Sequence, residues 1–117
     1  MKVADYHRQG LRWRVDAPPE GYRLLGEAQE GGHKVAFFGQ VEDGRLREVR
    51  YTSSRRCRKL MALADVAAAR LQGQPYPGFR LALEDLLAVF AEERERGKME
   101  ARAKLILRAL GLPAAEA

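Results

Sequence analysis

The sequence predicts an α+β domain in which a small antiparallel three-stranded sheet is followed by about three helices packed on one face. Three observations carry that prediction. Residues 22–52 read as short strand-like runs punctuated by Gly31-Gly32 and Asp43-Gly44. From Ser54 onward the apolar residues change to helical spacing. The chain has 117 residues, 46% apolar and 32% charged, enough for one core and too few for two ordinary domains. The expected division is a single domain over 1–117, with an irregular N-terminal arm over 1–20, the sheet over 22–52 and the helical part over 54–111.

Taken in order, the arm ends at Pro18-Pro19, and Tyr22 to Ala28 forms the first strand with Gly31-Gly32 as its turn. Lys34 to Val41 is the second strand and Arg45 to Thr52 the third. Asp43-Gly44 between them signals a tight hairpin, because glycine accepts the positive φ that two-residue turns demand. In the third strand Val49 and Tyr51 fall on the face opposite Leu46, so alternation alone does not decide which face is buried. Leu60, Leu63, Ala64, Ala67 and Leu71 then follow the stripe of an amphipathic helix, with Lys59, Asp65 and Arg70 turned to water. Ser53 or Ser54 is its expected N-cap, and Gly73 followed by Pro75 its stop. A second helix fits Leu83, Leu86, Leu87 and Phe90. A third fits Met99, Ile106 and Leu110, closed by Gly111 and Pro113, with Gly97 separating the two. Glu92-Glu93-Arg94-Glu95-Arg96 reads as a solvated helix face, and Trp13 as a packing anchor for the arm.

Composition narrows the function classes. No stretch approaches the ~18 apolar residues of a membrane span. The N-terminal residues lack the apolar core of a secretory signal, and the lone Cys57 cannot form an intrachain disulfide; a cytoplasmic location is expected. Only His7 and His33 are available as imidazoles, no serine sits in a nucleophile-elbow context, and there is no P-loop or dinucleotide fingerprint. No enzymatic activity is therefore expected. The net charge of +5 comes from 21 Lys plus Arg against 16 Asp plus Glu. Seven cations fall between Arg45 and Lys59, while Glu84, Asp85, Glu92, Glu93 and Glu95 gather later, which predicts a basic end and an acidic side. Arg45, Arg47, Arg50, Arg55 and Lys59 are the candidates for binding nucleic acid or another anionic partner. No aromatic-basic RNA signature and no recognition helix accompanies them, so a surface of solvated ion pairs is the simpler reading.

The order of parts nevertheless has a likeness. A short antiparallel sheet with a Val41-Glu42-Asp43-Gly44 turn, a cysteine at the head of a helix, and a closing helix with Leu105, Ala109 and Leu110 together resemble the IscU/NifU-type iron-sulfur cluster assembly scaffold over about residues 22 to 111. In that family a Cys-Gly-Asp triplet lies ten residues before the valine of the turn, a Gly-Cys pair precedes the helix, and a third cysteine opens the last helix. Here the triplet falls on Gly31-Gly32-His33, the second cysteine on Cys57 or Arg56, and the third on Arg102.

The resemblance implies three thiolates and a further ligand around a cluster or zinc, and this chain offers one. The implied role is a degenerate scaffold that assembles no cluster alone, with a protein partner from iron-sulfur or sulfur metabolism. No cofactor is expected; a cluster or zinc requires a reduced or intermolecular ligand set, for which His33 and Cys57, helped by Glu30, are the metal-ligand candidates. Cys57 is also the reactive-thiol candidate, as a sulfur carrier or redox group. A helix N-terminus with Arg56, Arg58 and Arg102 nearby would favour its thiolate form.

Overall fold

In the computed structural model, which describes residues 1–114, the chain runs α1 (Val3–Gln9), β1 (Arg23–Glu30), β2 (His33–Glu42), β3 (Arg45–Ser53), α2 (Arg58–Leu71), α3 (Leu83–Leu87), a 3₁₀ turn (Ala88–Phe90) and α4 (Arg96–Ala109). The strands form one antiparallel sheet in the order β1-β2-β3. The α+β class, the three strands and the helical second half stand as expected, with β1 displaced by one residue at its start and two at its end. Asp43 and Gly44 have φ of 52° and 73°, the paired positive values of a type I′ hairpin.

The broken alternation of β3 has a physical cause. Gln40 faces Glu48, but Val41 faces Leu46, so Arg47 is an extra residue on β3. This bulge turns the strand locally, and Leu46, Val49 and Tyr51 are all fully buried on the helix side. Leu60, Leu63, Ala64, Ala67 and Leu71 of α2 close over them, and α4 adds Met99, Leu105 and Ile106, packing across α2, β1 and β2. Gly26 permits that approach: a Cβ there would overlap the carbonyl oxygen of Ala109.

Several expectations are corrected. The N-terminal arm is not irregular, because residues 3–9 form α1. A seven-residue helix carries too little periodicity to be read and is held by packing: Val3 is buried, and the Tyr6 ring meets Phe90 edge-on at 5.4 Å. Glu92 to Arg96 is not a solvated helix face. Glu92 to Glu95 lie in the turn before α4 and Arg96 opens that helix; Glu93 accepts from the backbone N–H of Val3 at 2.6 Å, and Glu92 pairs with the Met1 amine at 2.7 Å. Gly97 does not separate the last helices; it lies inside the first turn of α4, and Glu95, with φ of 59°, makes the break. The second helix is shortened to α3 and the 3₁₀ turn, with Leu86 and Phe90 buried.

Trp13 does anchor the arm. Tyr51 donates its N–H to the Trp13 carbonyl at 3.2 Å, and Val15 donates to that of Tyr51 at 2.9 Å, so this segment runs parallel along the β3 edge. Further along the same edge, Gln72 bonds both backbone groups of Val49 at 2.9 Å.

Candidate functional site

The segment joining β3 to α2 is tied down before the helix begins. Ser54 Oγ accepts from the Lys34 N–H at 2.7 Å, and the Ser54 N–H donates to the Lys34 carbonyl at 2.9 Å. Its hydroxyl is thus spent on β2, and neither Ser53 nor Ser54 is the N-cap. Cys57 is: its backbone is extended, and its Sγ accepts from the Leu60 N–H at 3.4 Å. Sulfur is a weak acceptor in a place that usually holds oxygen. The same bonds put the start of β2 beside the end of β3, so His33 and Cys57 lie at one end of the sheet, both half-buried. Arg56 and Arg58 flank Cys57 as exposed side chains.

Three buried polar atoms belong to residues at or near the likeness positions and make no hydrogen bond: His33 Nδ1, Ser53 Oγ and Arg102 Nε. Buried polar atoms are usually paired; among the described residues a fourth such atom, Arg14 Nε, lies on the N-terminal arm. Glu30 does not join His33 as a ligand; it pairs with Arg108 at 3.2 Å. Gly31 has φ of 58° and brings no side chain. Among the described residues no three of His, Cys, Asp and Glu converge closely enough to hold a metal ion. The donors present do not fit a cluster, which needs thiolates that one cysteine cannot supply, and an arginine at 102 is a permanent cation rather than a ligand.

The five anion-binding candidates are not gathered in one patch. Arg45 donates to the Gly73 carbonyl at 3.0 Å, and Arg47 pairs with Glu42 at 3.3 Å. Arg50 pairs with Glu48 at 2.9 Å while lying over the Trp13 ring. Arg55 pairs with Asp16 at 3.0 Å, and Lys59 with Glu95 at 3.1 Å. The expected basic end and acidic side fail for the same reason. β3 separates Arg45 from Ser53 by about 25 Å, and Lys59 sits among the acidic residues of the later segment. An open groove of about 300 Å³, lined by residues including Arg23, Glu42 and Arg47, lies at the Asp43-Gly44 end, away from Cys57.

One polar centre was missed. Asp65, expected at the surface, is 1% exposed. It accepts from Tyr6 Oη at 2.7 Å and from the Trp13 N–H at 2.8 Å, so the arm closes over α2 through this carboxylate. Burial, reinforced by the bond to Asp65, pushes the Tyr6 hydroxyl well above the ordinary tyrosine range. Burial, followed by the Asp65 charge, does the same to Tyr51, whose hydroxyl donates to the Met61 carbonyl at 3.1 Å. The signal was in the sequence: Asp65 is the only charged residue between Leu60 and Ala69, and a helix apolar all round is buried.

The geometry has a solved counterpart. A protein described as an iron-sulfur cluster assembly scaffold for the SUF system, from thermophilic Fervidobacterium islandicum, superposes with a TM-score of 0.59 at 13% identity, covering 97% of this chain and 93% of that one. The chain has the scaffold fold. At that identity the likeness is one of architecture. No protein-family model and no curated protein matches the sequence.

Proposed function

We propose that the chain is an accessory or binding protein of iron-sulfur cluster assembly or sulfur metabolism: a scaffold of the IscU/NifU type whose ligand set has been reduced until it assembles no cluster alone. The observation that carries this reading is the scaffold fold over 97% of the chain, joined to a junction with a single thiol and no three-donor group among the described residues. In this reading the protein acts in the cytoplasm, catalyses no reaction, and keeps the partner-docking surface after losing the metal site. Metal remains compatible only through His33 and Cys57, or through ligands pooled from two chains.

The test is iron, zinc and sulfide analysis with a visible spectrum on protein purified without oxygen, beside Cys57→Ser. The expected result is no near-stoichiometric metal in either sample, with iron-sulfur or sulfur-transfer proteins retained on the immobilised chain. Near-stoichiometric metal in the parent that is lost with Cys57 would overturn the loss of the metal site and leave a reduced or shared site that includes Cys57. A second reading, Cys57 as a sulfur carrier, is supported by the Leu60 N–H directed at Sγ; persulfide uptake from a persulfide donor, abolished in Cys57→Ser, is its test.

A further inference from the structure

We infer that the start of α2 and the adjoining start of β2 form a docking surface for an acidic protein segment, recognised by Arg56, Arg58 and Lys34. This rests on the partner-docking role proposed above and names the chemistry of the partner.

The first observation is an imbalance of charge. Between Arg45 and Lys59, Arg45, Arg47, Arg50, Arg55 and Lys59 bond to groups of their own chain. Arg56 and Arg58 are exposed, and neither has a side-chain partner among the described residues. The Lys34 side chain is likewise exposed and has no partner among the described residues, and two hydrogen bonds between Ser54 and the Lys34 backbone hold that residue beside the same segment. Two carboxylates of the adjoining segments are already committed: Asp16 is shared by Arg14 and Arg55, and Glu30 pairs with Arg108.

The second observation is where the charges sit. The first turn of α2 contains no acidic residue and instead carries Arg58 and Lys59. Cations at the positive end of a helix are unfavourable. Lys59 is compensated by Glu93 and Glu95, and Arg58 is not. A local rule broken with no compensating internal contact is the mark of a functional position, and an external carboxylate would supply the missing partner.

The number of free cations selects the occupant. Three unpaired cations allow about three phosphate contacts, fewer than the 6–10 on which tight nucleic-acid binding rests. The Trp13 ring already carries Arg12 and Arg50, each at 5.1 Å from its centroid, and supplies no free stacking face for a base. A short acidic stretch of a protein matches both the count and the exposure.

The test is fluorescence anisotropy with a short labelled poly-glutamate peptide and, separately, a single-stranded oligonucleotide, using the full chain. Arg56→Ala/Arg58→Ala is expected to weaken the peptide by about tenfold, and Arg56→Lys/Arg58→Lys to restore most of it. Arg45→Ala/Arg47→Ala, at the other end of the sheet, is expected to stay within about twofold. Unaltered urea midpoints establish that each variant folds. Equal losses from both arginine pairs, no loss from Arg56 and Arg58, or tighter binding of the oligonucleotide would overturn the proposal. Site-specific peptide binding without retention of any iron-sulfur or sulfur-transfer protein would keep this surface and sink the proposed pathway instead; retention of such proteins by Arg56→Ala/Arg58→Ala would do the reverse.

Discussion

Helix α2 carries two polar centres about two turns apart, and they follow opposite rules. At Asp65 a buried carboxylate is met by the Tyr6 hydroxyl and the Trp13 N–H, and the N-terminal arm is folded around it. At Cys57 a half-buried thiol caps the helix with a long bond, and among the described residues the two arginines beside it have no side-chain partner and buried atoms of Ser53 and His33 on the neighbouring strands no hydrogen bond. The contrast teaches where each kind of residue belongs. A charge in the interior is tolerated only when fully satisfied, whereas unmatched polar groups at an exposed junction are available to something outside the chain.

The largest expected effect lies at the buried centre. Asp65→Ala leaves the Tyr6 hydroxyl and the Trp13 N–H facing an empty site, and is expected to cost on the order of 3 kcal/mol in urea unfolding. Asp65→Asn, which retains an acceptor, should cost less. A loss under about 1 kcal/mol for the alanine variant would mean that the arm is held by packing alone, and the contrast would dissolve.

The same centre sets an alkaline limit. Tyr6 and Tyr51 both titrate above their unfolded value, so the native state keeps its proton where the unfolded chain has lost it. Their contribution is complete below about pH 10 and falls above it. For the fully buried Tyr51 the slope is about 1.4 kcal/mol per pH unit. Unfolding free energies measured between pH 9 and 11 should therefore turn downward near the ordinary tyrosine value of about 10, and Tyr6→Phe should make the descent shallower. A flat profile would show that both hydroxyls are reached by water.

At the exposed centre the effects on stability are small. Cys57→Ala removes a weak cap and is expected to cost about 0.5 kcal/mol, while Cys57→Ser places the preferred oxygen there and should match or slightly exceed the parent. Thermal unfolding of the two variants decides this. A large loss in Cys57→Ser would mean that the sulfur packs in a way oxygen cannot, and that the thiol is structural.

What could be read from the sequence follows the same division. The Asp43-Gly44 hairpin, the α2 stripe and the three strands were legible because turn chemistry and periodicity are local. The β3 bulge was visible only as a broken pattern at Arg47, since its resolution depends on which partner residue it faces. α1 and the role of Glu93 were illegible: seven residues give no reliable period, and the bond from Val3 spans most of the chain. Ser54 misled for a related reason, being a good cap residue drawn off by Lys34 on another strand. Of the candidate site, only the placement was legible: Cys57, His33, Arg56 and Arg58 fall at one end of the sheet, as the hairpin order of the strands requires. The five arginine and lysine candidates were not legible, because sequence clustering along an extended strand becomes separation in space.

Arg58→Glu sharpens the comparison furthest, although its effect on stability is small. It replaces an uncompensated cation with an anion at the positive end of α2, which should raise stability by about 0.5 kcal/mol, while placing a negative charge where an acidic segment is expected to dock. Stability and binding should move in opposite directions, the behaviour of a residue kept for a partner. At the Asp65 centre no substitution is expected to do this, since every bond there serves the fold. If Arg58→Glu instead lowers the urea midpoint, Arg58 has a partner within its own chain, and the two centres of α2 are alike after all.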